Sequence, residues 1–324
     1  KLGDEKFVTV PVGNSFHVYN CSDLRLALVS SLVDRPITAV CNVNEVTFTA
    51  SGNSLLVWHR AHIVQRLDGE HNANITSLLS FGPTVVSVSS KDSRVVVWNV
   101  AKRDGSDVQL VTTFRLDDTN QNNNNSSDSD NDSDSDDEDN GSTTTTNMSR
   151  NEPFVVTSIL HPATYINKVI FGSSNGKLEL WNVATCKHIH TMECVNNTSS
   201  STSSYSSSTS SSSSSLSSSS SASSVRGAVT SLAQSPAADV IGVGYSTGEI
   251  HIVNLAYDSI LMQFNQREGL GCVTSLSFRT DSAITSTSGT NTARLVSTGE
   301  TGSFAVWDLE HKRLESMYNG AHDG

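Results

Sequence analysis

His71, Asp92 and the serines around them are the residue types of a charge-relay hydrolase, in which a carboxylate holds a histidine that takes the proton of a serine nucleophile. That chemistry needs the serine exposed on a defined turn. Here these residues fall at recurring points of a repeat, so the reading taken is structural. His71, Asp92 and Trp98 are expected to form a hydrogen-bonded polar set within one repeat, with Asp92 six residues before Trp98. The five cysteines, Cys21, Cys41, Cys186, Cys194 and Cys272, are odd in number and far apart, with no metal-ligand spacing. Incidental free thiols are expected, with no metal, no other cofactor and no small-molecule substrate.

A second chemistry is written into an acidic run. Ser127, Ser129, Ser133 and Ser135 each have an acid three residues on, the spacing that an acid-directed kinase with a basic groove recognises. Phosphorylation is expected there.

The elements that position these residues announce themselves by repetition. The stretch Gly176-Lys177-Leu178-Glu179-Leu180-Trp181-Asn182 has five variants: a turn residue, an alternating apolar segment, an aromatic residue, then Asn, Asp or His. The aromatic position is Tyr19, Trp58, Trp98, Trp181 and Trp307, with Val253 as a substitute in the fifth unit, and it uses all 4 tryptophans of the chain. The first two spacings, 39 and 40, match a WD-repeat blade of roughly 40 residues. The longer ones, 83, 72 and 54, return to one unit once three low-complexity stretches are removed: 117–152, rich in Asn and Asp; 198–224, rich in Ser; and 281–292.

This pattern predicts an all-β WD-repeat β-propeller as one domain over 1–324, with disordered surface insertions at 117–152 and 198–224. Each unit reads as short strands joined by tight turns, for example Phe7–Val10 and Ser15–Tyr19 through Gly13-Asn14. The third unit is read as starting with a strand from Ile75 to Leu79, which places the glycosylation-like triplet Asn74-Ile75-Thr76 in a strand. No strand is read before Phe7, and Asn319 to His322 resembles the lead-in to a further unit. About six blades are therefore expected here, of seven in a parent ring, leaving the ring unclosed. Val253 removes an indole and its N–H donor from the fifth blade, which is expected to be the weakest of the set and to tolerate a Trp at that position.

Net charge is -12, but ten acids and no cation lie in 117–149, so the rest of the chain carries only -2. A strongly basic nucleic-acid-binding body is excluded, a local basic patch is not. With no charged-then-apolar leader and no long apolar segment in the sequence, a soluble intracellular protein with no membrane contact is expected.

Several stretches go beyond the repeat: Phe7-Val8-Thr9, Val12 to Tyr19, Ile159-Leu160-His161-Pro162-Ala163-Thr164-Tyr165-Ile166-Asn167-Lys168, Ser275 to Asp281, and Leu309 to Lys312. In these the chain resembles the first propeller of the U three protein twenty-one family, nucleolar WD-repeat subunits of the UTP-B complex of the small-subunit processome. The resemblance implies a second propeller and a helical region elsewhere in the protein. It also implies a non-enzymatic scaffold in nucleus and nucleolus that joins other UTP-B subunits and processome proteins. Contact with pre-rRNA and the U-three snoRNA particle, in small-subunit biogenesis, is implied too. Any RNA contact is expected at local basic loops, with Arg60, Arg66, Lys102 and Arg103 as candidates. The repeat alone equally permits a generic docking propeller, such as a ubiquitin-ligase receptor or a coat subunit. A propeller enzyme is disfavoured because strand starts carry mostly Val, Thr, Ser and Ile.

Overall fold

Short alternating apolar runs closed by turn residues fold as antiparallel hairpins, and consecutive hairpins of this chain merge into meander sheets. The computed structural model describes residues 6–117, 153–196, 227–279 and 293–321. Among these, the first sheet has three strands, β1 (Phe7–Val12), β2 (Ser15–Asn20) and β3 (Leu26–Val29). The second has four, β4 (Ile37–Val43), β5 (Val46–Ser51), β6 (Ser54–His59) and β7 (His62–Leu67). The third contains β8 (Ser77–Phe81), β9 (Thr84–Ser89), β10 (Arg94–Val100) and β11 (Val108–Arg115). The fourth contains β12 (Val156–Leu160), β13 (Lys168–Ser173), β14 (Leu178–Asn182) and β15 (Lys187–Thr191), followed by a one-turn helix α1 (Glu193–Asn196). The fifth is β16 (Val229–Gln234), β17 (Val240–Tyr245), β18 (Glu249–Asn254) and β19 (Ser259–Asn265). The sixth is β20 (Val273–Phe278), β21 (Arg294–Gly299), β22 (Phe304–Asp308) and β23 (Arg313–Tyr318).

The six sheets are blades. First strands β4, β8, β12, β16 and β20 pack in succession against one another, as expected of strands lining a propeller axis. Every interface between consecutive blades holds a cluster of buried apolar side chains: Phe16, Ile37, Leu56 and Trp58 between the first and second, for example, where Phe16 meets the Trp58 ring edge-on at 5.2 Å. Hydroxyls cross the same seams, Thr38 Oγ1 donating to Ile75 O at 2.7 Å and Thr157 Oγ1 to Val229 O at 2.6 Å.

Among the described residues no such cluster joins the sixth blade to the first. Strand β5, flanked on both faces, is buried throughout, whereas β1 leaves Val8, Val10 and Val12 exposed and β21 is fully buried only at alternate positions.

In all six sheets the strand next to the outer one shares an irregularity. The pairing with the outer strand skips a residue immediately before Tyr19, Trp58, Trp98, Trp181, Val253 and Trp307. A β-bulge at this point bends the outer strand. The bulge is present at Val253 as well as at the aromatic positions, so the register of the blade does not depend on the indole.

The strand read from Ile75 begins instead at Ser77, which leaves Asn74-Ile75-Thr76 outside it. The cause is a neighbour: the Ile75 N–H donates to Gly52 O of the preceding blade at 2.8 Å, so this residue serves the seam rather than its own sheet.

Candidate functional site

The residue after the aromatic position closes the turn to the outer strand. Asn182 Oδ1 accepts from the N–H groups of Ala184 and Thr185, Asn254 Oδ1 from Ala256 and Tyr257, and Asp308 Oδ1 from Glu310 and His311. These Asx turns give a physical reason for Asn or Asp at that position.

Inside the blades the indole needs an acceptor once buried. Trp58 Nε1–H donates to Thr49 Oγ1 at 2.8 Å, Trp98 to Ser87 Oγ at 2.9 Å and Trp307 to Ser297 Oγ at 2.8 Å, each hydroxyl standing on the adjacent second strand. In the fourth blade Phe171 holds the equivalent position, and Trp181 turns to Glu179 Oε2 at 2.9 Å, two residues back on its own strand. The first blade does the same with His17 Nδ1 and Tyr19 Oη, 3.2 Å apart. In the fifth, Val243 replaces the hydroxyl and the fully buried Val253 replaces the indole.

His71, Ser87 and Trp98 are brought together: His71 Nε2 lies 2.7 Å from the same Ser87 Oγ that accepts from Trp98. Burial pushes the His71 pKa down to about 4, so the ring is neutral and shares a single hydrogen bond with the Ser87 hydroxyl. Asp92 is close enough to oppose that shift. Among the described residues neither of its carboxylate oxygens nor His71 Nδ1 has a hydrogen-bond partner. With His71 at 2 % and Ser87 at 0 % exposure, no substrate reaches this trio. The sequence also contains two Gly-x-Ser-x-Gly strings, Gly172 to Gly176 and Gly244 to Gly248. Both are hairpin turns, β13 to β14 and β17 to β18, whereas a nucleophile elbow leads from a strand into a helix.

The basic side chains singled out as RNA-contact candidates lie on or beside the turns. In a meander blade the first-to-second and third-to-fourth turns share one face of the ring, and the second-to-third turns share the other with the inter-blade links. Arg60, Lys102 and Arg103 are exposed on the former, Arg103 lining a cleft with Asn44, Glu45, His59 and Asp104. The loop carrying Lys102 and Arg103 is held against the second blade by Gly105, at φ +74°, where a Cβ would lie 2.8 Å from Val46 Cγ1. Arg66 is not with them: it sits at the other end of β7, bonded to Asp68 at 2.8 Å and to Ser54 at 3.1 Å.

Two carboxylates bind backbone N–H groups beside the low-complexity segments. Asp117 Oδ1 accepts from Phe154 N–H at 2.9 Å. Asp258 accepts from Glu193 and Cys194 N–H at 2.8 and 3.1 Å and from His190 Nε2 at 2.8 Å, hydrogen bonds that hold its pKa down at about 2 against partial burial. Ser127, Ser129, Ser133 and Ser135 lie outside the described residues.

Six meander blades with a repeated bulge, an aromatic at five of the six bulges and Asx turns in the last three blades define a WD-repeat β-propeller. Compared with known proteins, residues 8–324 match the model of the WDR36/Utp21 first β-propeller, and the chain belongs to that family. It is 29% identical over 323 residues to the U3 small nucleolar RNA-associated protein 21 homolog of Schizosaccharomyces pombe, covering 99% of this chain and 27% of that protein. To the human WD repeat-containing protein 36 it is 28% identical over 317 residues, covering 98% and 26%. The chain thus spans about a quarter of the length of these relatives. Its fold is also that of a chain in the crystal structure of the Mitotic Checkpoint Complex, with a TM-score of 0.62 at 13% identity, covering 98% of this chain and 75% of that one. The computationally designed Ika8 protein aligns with a TM-score of 0.58 at 14% identity, covering 96% and 71%.

Proposed function

We propose that the protein carrying this propeller is a non-enzymatic scaffold of the small-subunit processome. It acts in nucleolar pre-rRNA processing and small-subunit biogenesis by joining other UTP-B subunits and the U-three snoRNA particle. The observation that carries the reading is the family match along nearly the whole chain. The name of the fission-yeast relative, a U3 small nucleolar RNA-associated protein, supports the class of particle. The burial of the His71 and Ser87 pair supports a structural rather than catalytic use of the only polar set of its kind that the sequence suggested. Outside the acidic segment the chain is nearly neutral, which favours protein contacts, with RNA contact confined to the turn face bearing Arg60, Lys102 and Arg103. Arg66, already paired with Asp68, is the weaker candidate.

The test is co-purification from cells. Tagged full-length protein should recover the U-three snoRNA and the other UTP-B subunits, and its depletion should stall small-subunit precursor RNA. Recovery of ligase or coat components, with precursor RNA unchanged on depletion, would replace this reading with the generic docking one.

A further inference from the structure

We propose that a loop platform on the fourth and fifth blades, topped by Ile166 and Tyr257, is the docking site for an apolar segment of a partner protein with an acidic residue beside it. The proposal deepens the scaffold reading and rests on it for the setting in which the partner is met.

Ile166 is 83% exposed and Tyr257 81%, against 80% for Leu32 and 71% for Leu24, the next most exposed large apolar side chains. Single exposed apolar residues are ordinary. These two differ in how they are mounted and where. Ile166 stands at the tip of the β12–β13 loop. Within that loop His161 Nδ1 donates to Lys168 O at 2.8 Å, Tyr165 N–H donates to Pro162 O at 3.0 Å, and Lys168 Nζ sits 5.0 Å over the Tyr165 ring. From the preceding blade, Phe81 stacks on His161 with ring centroids 4.0 Å apart. Toward the fifth blade, Ala163 N–H donates to Gln234 Oε1 and Thr164 Oγ1 to Asp239 Oδ1, both at 3.0 Å.

Asp239 also fixes the second loop: its carbonyl accepts from Leu255 N–H at 2.7 Å, two residues before Tyr257, whose own N–H is bound by Asn254. One residue thus ties together both loops that carry the exposed side chains, and each lies two positions from its bond. A side chain presented on a fixed loop costs little further ordering on binding.

The chemistry of the surroundings selects the occupant. Exposed residues on the β12–β13 loop and on the β16–β17 turn bonded to it include Ala163, Ala237 and Ala238, and the charges on these loops and beside Tyr257 are engaged, Asp239 with Thr164, Asp258 with His190, and Lys168 over Tyr165. The exposed Lys187 has no ion pair among the described residues. It lies on the strand row Lys168, Asn182, Lys187, which begins two residues after Ile166. An RNA strand would need several free cations or successive aromatic platforms. An apolar peptide segment with one acid toward Lys187 satisfies every group present.

The experiment uses full-length protein in its native complex, with a photo-reactive phenylalanine analogue at position 166 or 257. Both positions should crosslink to one protein, in a segment rich in aliphatic or aromatic residues with Asp or Glu alongside. Ile166→Ser with Tyr257→Ser should lower recovery of that protein about tenfold, the loss of an apolar hot spot, at unchanged melting temperature. Lys187→Glu should weaken it less. Crosslinks to nucleotides, crosslinks to charged segments, no crosslinks, or recovery within about twofold of wild type would each overturn the proposal. If the complex contains no small-subunit precursor RNA, the scaffold reading fails, while the crosslinked peptide still decides the platform.

Discussion

Trp181 donates its indole N–H to Glu179, its neighbour two residues back on β14, at 2.9 Å, because Phe171 occupies the place where three other blades keep a hydroxyl. The position of Glu179 is Leu56, Val96 and Ala305 in those three blades. Acceptor and aromatic are thus exchanged as a pair, and the exchange puts a carboxylate where an apolar side chain would pack.

Glu179→Gln keeps an acceptor for the indole and removes the charge. Burial raises the Glu179 pKa, so the folded state holds its proton more tightly than the unfolded chain. That contribution is complete below the ordinary carboxylate pKa and is lost as pH rises through the raised one. At pH 7 the variant should melt at or up to about 3 °C above wild type, corresponding to about 1 kcal/mol. Between pH 4 and 7 its melting temperature should fall less. A clear loss of stability at pH 7 would show that the ionised carboxylate is the better partner.

Trp98→Ala should cost about 3 to 5 kcal/mol, since a buried ring is lost and the Ser87 hydroxyl is left with His71 alone. Trp98→Phe should cost about 1 kcal/mol, the hydrogen bond with most of the packing kept. Val253→Trp is expected to destabilise by about 1 to 3 kcal/mol, because Val253 is fully buried, a larger ring there overpacks, and Val243 offers no acceptor for the indole. Denaturant unfolding of the three variants checks the ranking, and a stabilised Val253→Trp would contradict it.

The blade register was legible because it rests on local spacing. The residues 19, 58, 98, 181, 253 and 307 stand at the same bulge, including the one that is not aromatic. The Glu179 exchange was not legible, since its cause, Phe171, is eight positions away and meets it only through cross-strand pairing. Nor was the boundary at Ser77, set by Gly52 of another blade. The split of Arg66 from Arg60 followed the same logic: six residues along a strand reach the opposite end of the sheet, which a count of basic residues ignores.

Asp258 sits at φ +44°, which Asn tolerates, so Asp258→Asn isolates the carboxylate. Its pKa is held down at about 2, and its contribution is present above the ordinary value of 3.8 and lost as pH falls toward 2. The variant should lose about 1 to 2 kcal/mol at pH 7, the scale of charge-assisted hydrogen bonds. Its acid denaturation should be shallower between pH 4 and 2. Equal acid limbs in wild type and variant would remove Asp258 from the account.

Deleting 120–150 should leave the fold intact, since Asp117 and Phe154 are already bonded at 2.9 Å and the ends need no rearrangement to be joined. Loop closure depends only logarithmically on length, so the change should be about 1 kcal/mol or less. A drop of several degrees in melting temperature would mean that the deleted residues pack on the blades. The same limit is expected for deletion of 198–224.

RNA binding by the propeller alone should be weak and salt-sensitive, for a reason of number. Arg60, Lys102 and Arg103 share one face, but Glu45 and Asp104 stand in the same cleft, and Arg66 points to the other end of its blade. At most about three phosphates are neutralised, so affinity for single-stranded RNA should fall with a log–log salt slope no steeper than about -2. Raising salt from 50 to 200 mM then costs about 16-fold or less, from an affinity that is already non-specific. Charge reversal at Lys102 and Arg103 together should halve the slope or more, whereas Arg66→Glu should leave it unchanged. A slope near -5, or one that Arg66→Glu flattens and Lys102→Glu does not, would place the RNA on the opposite face.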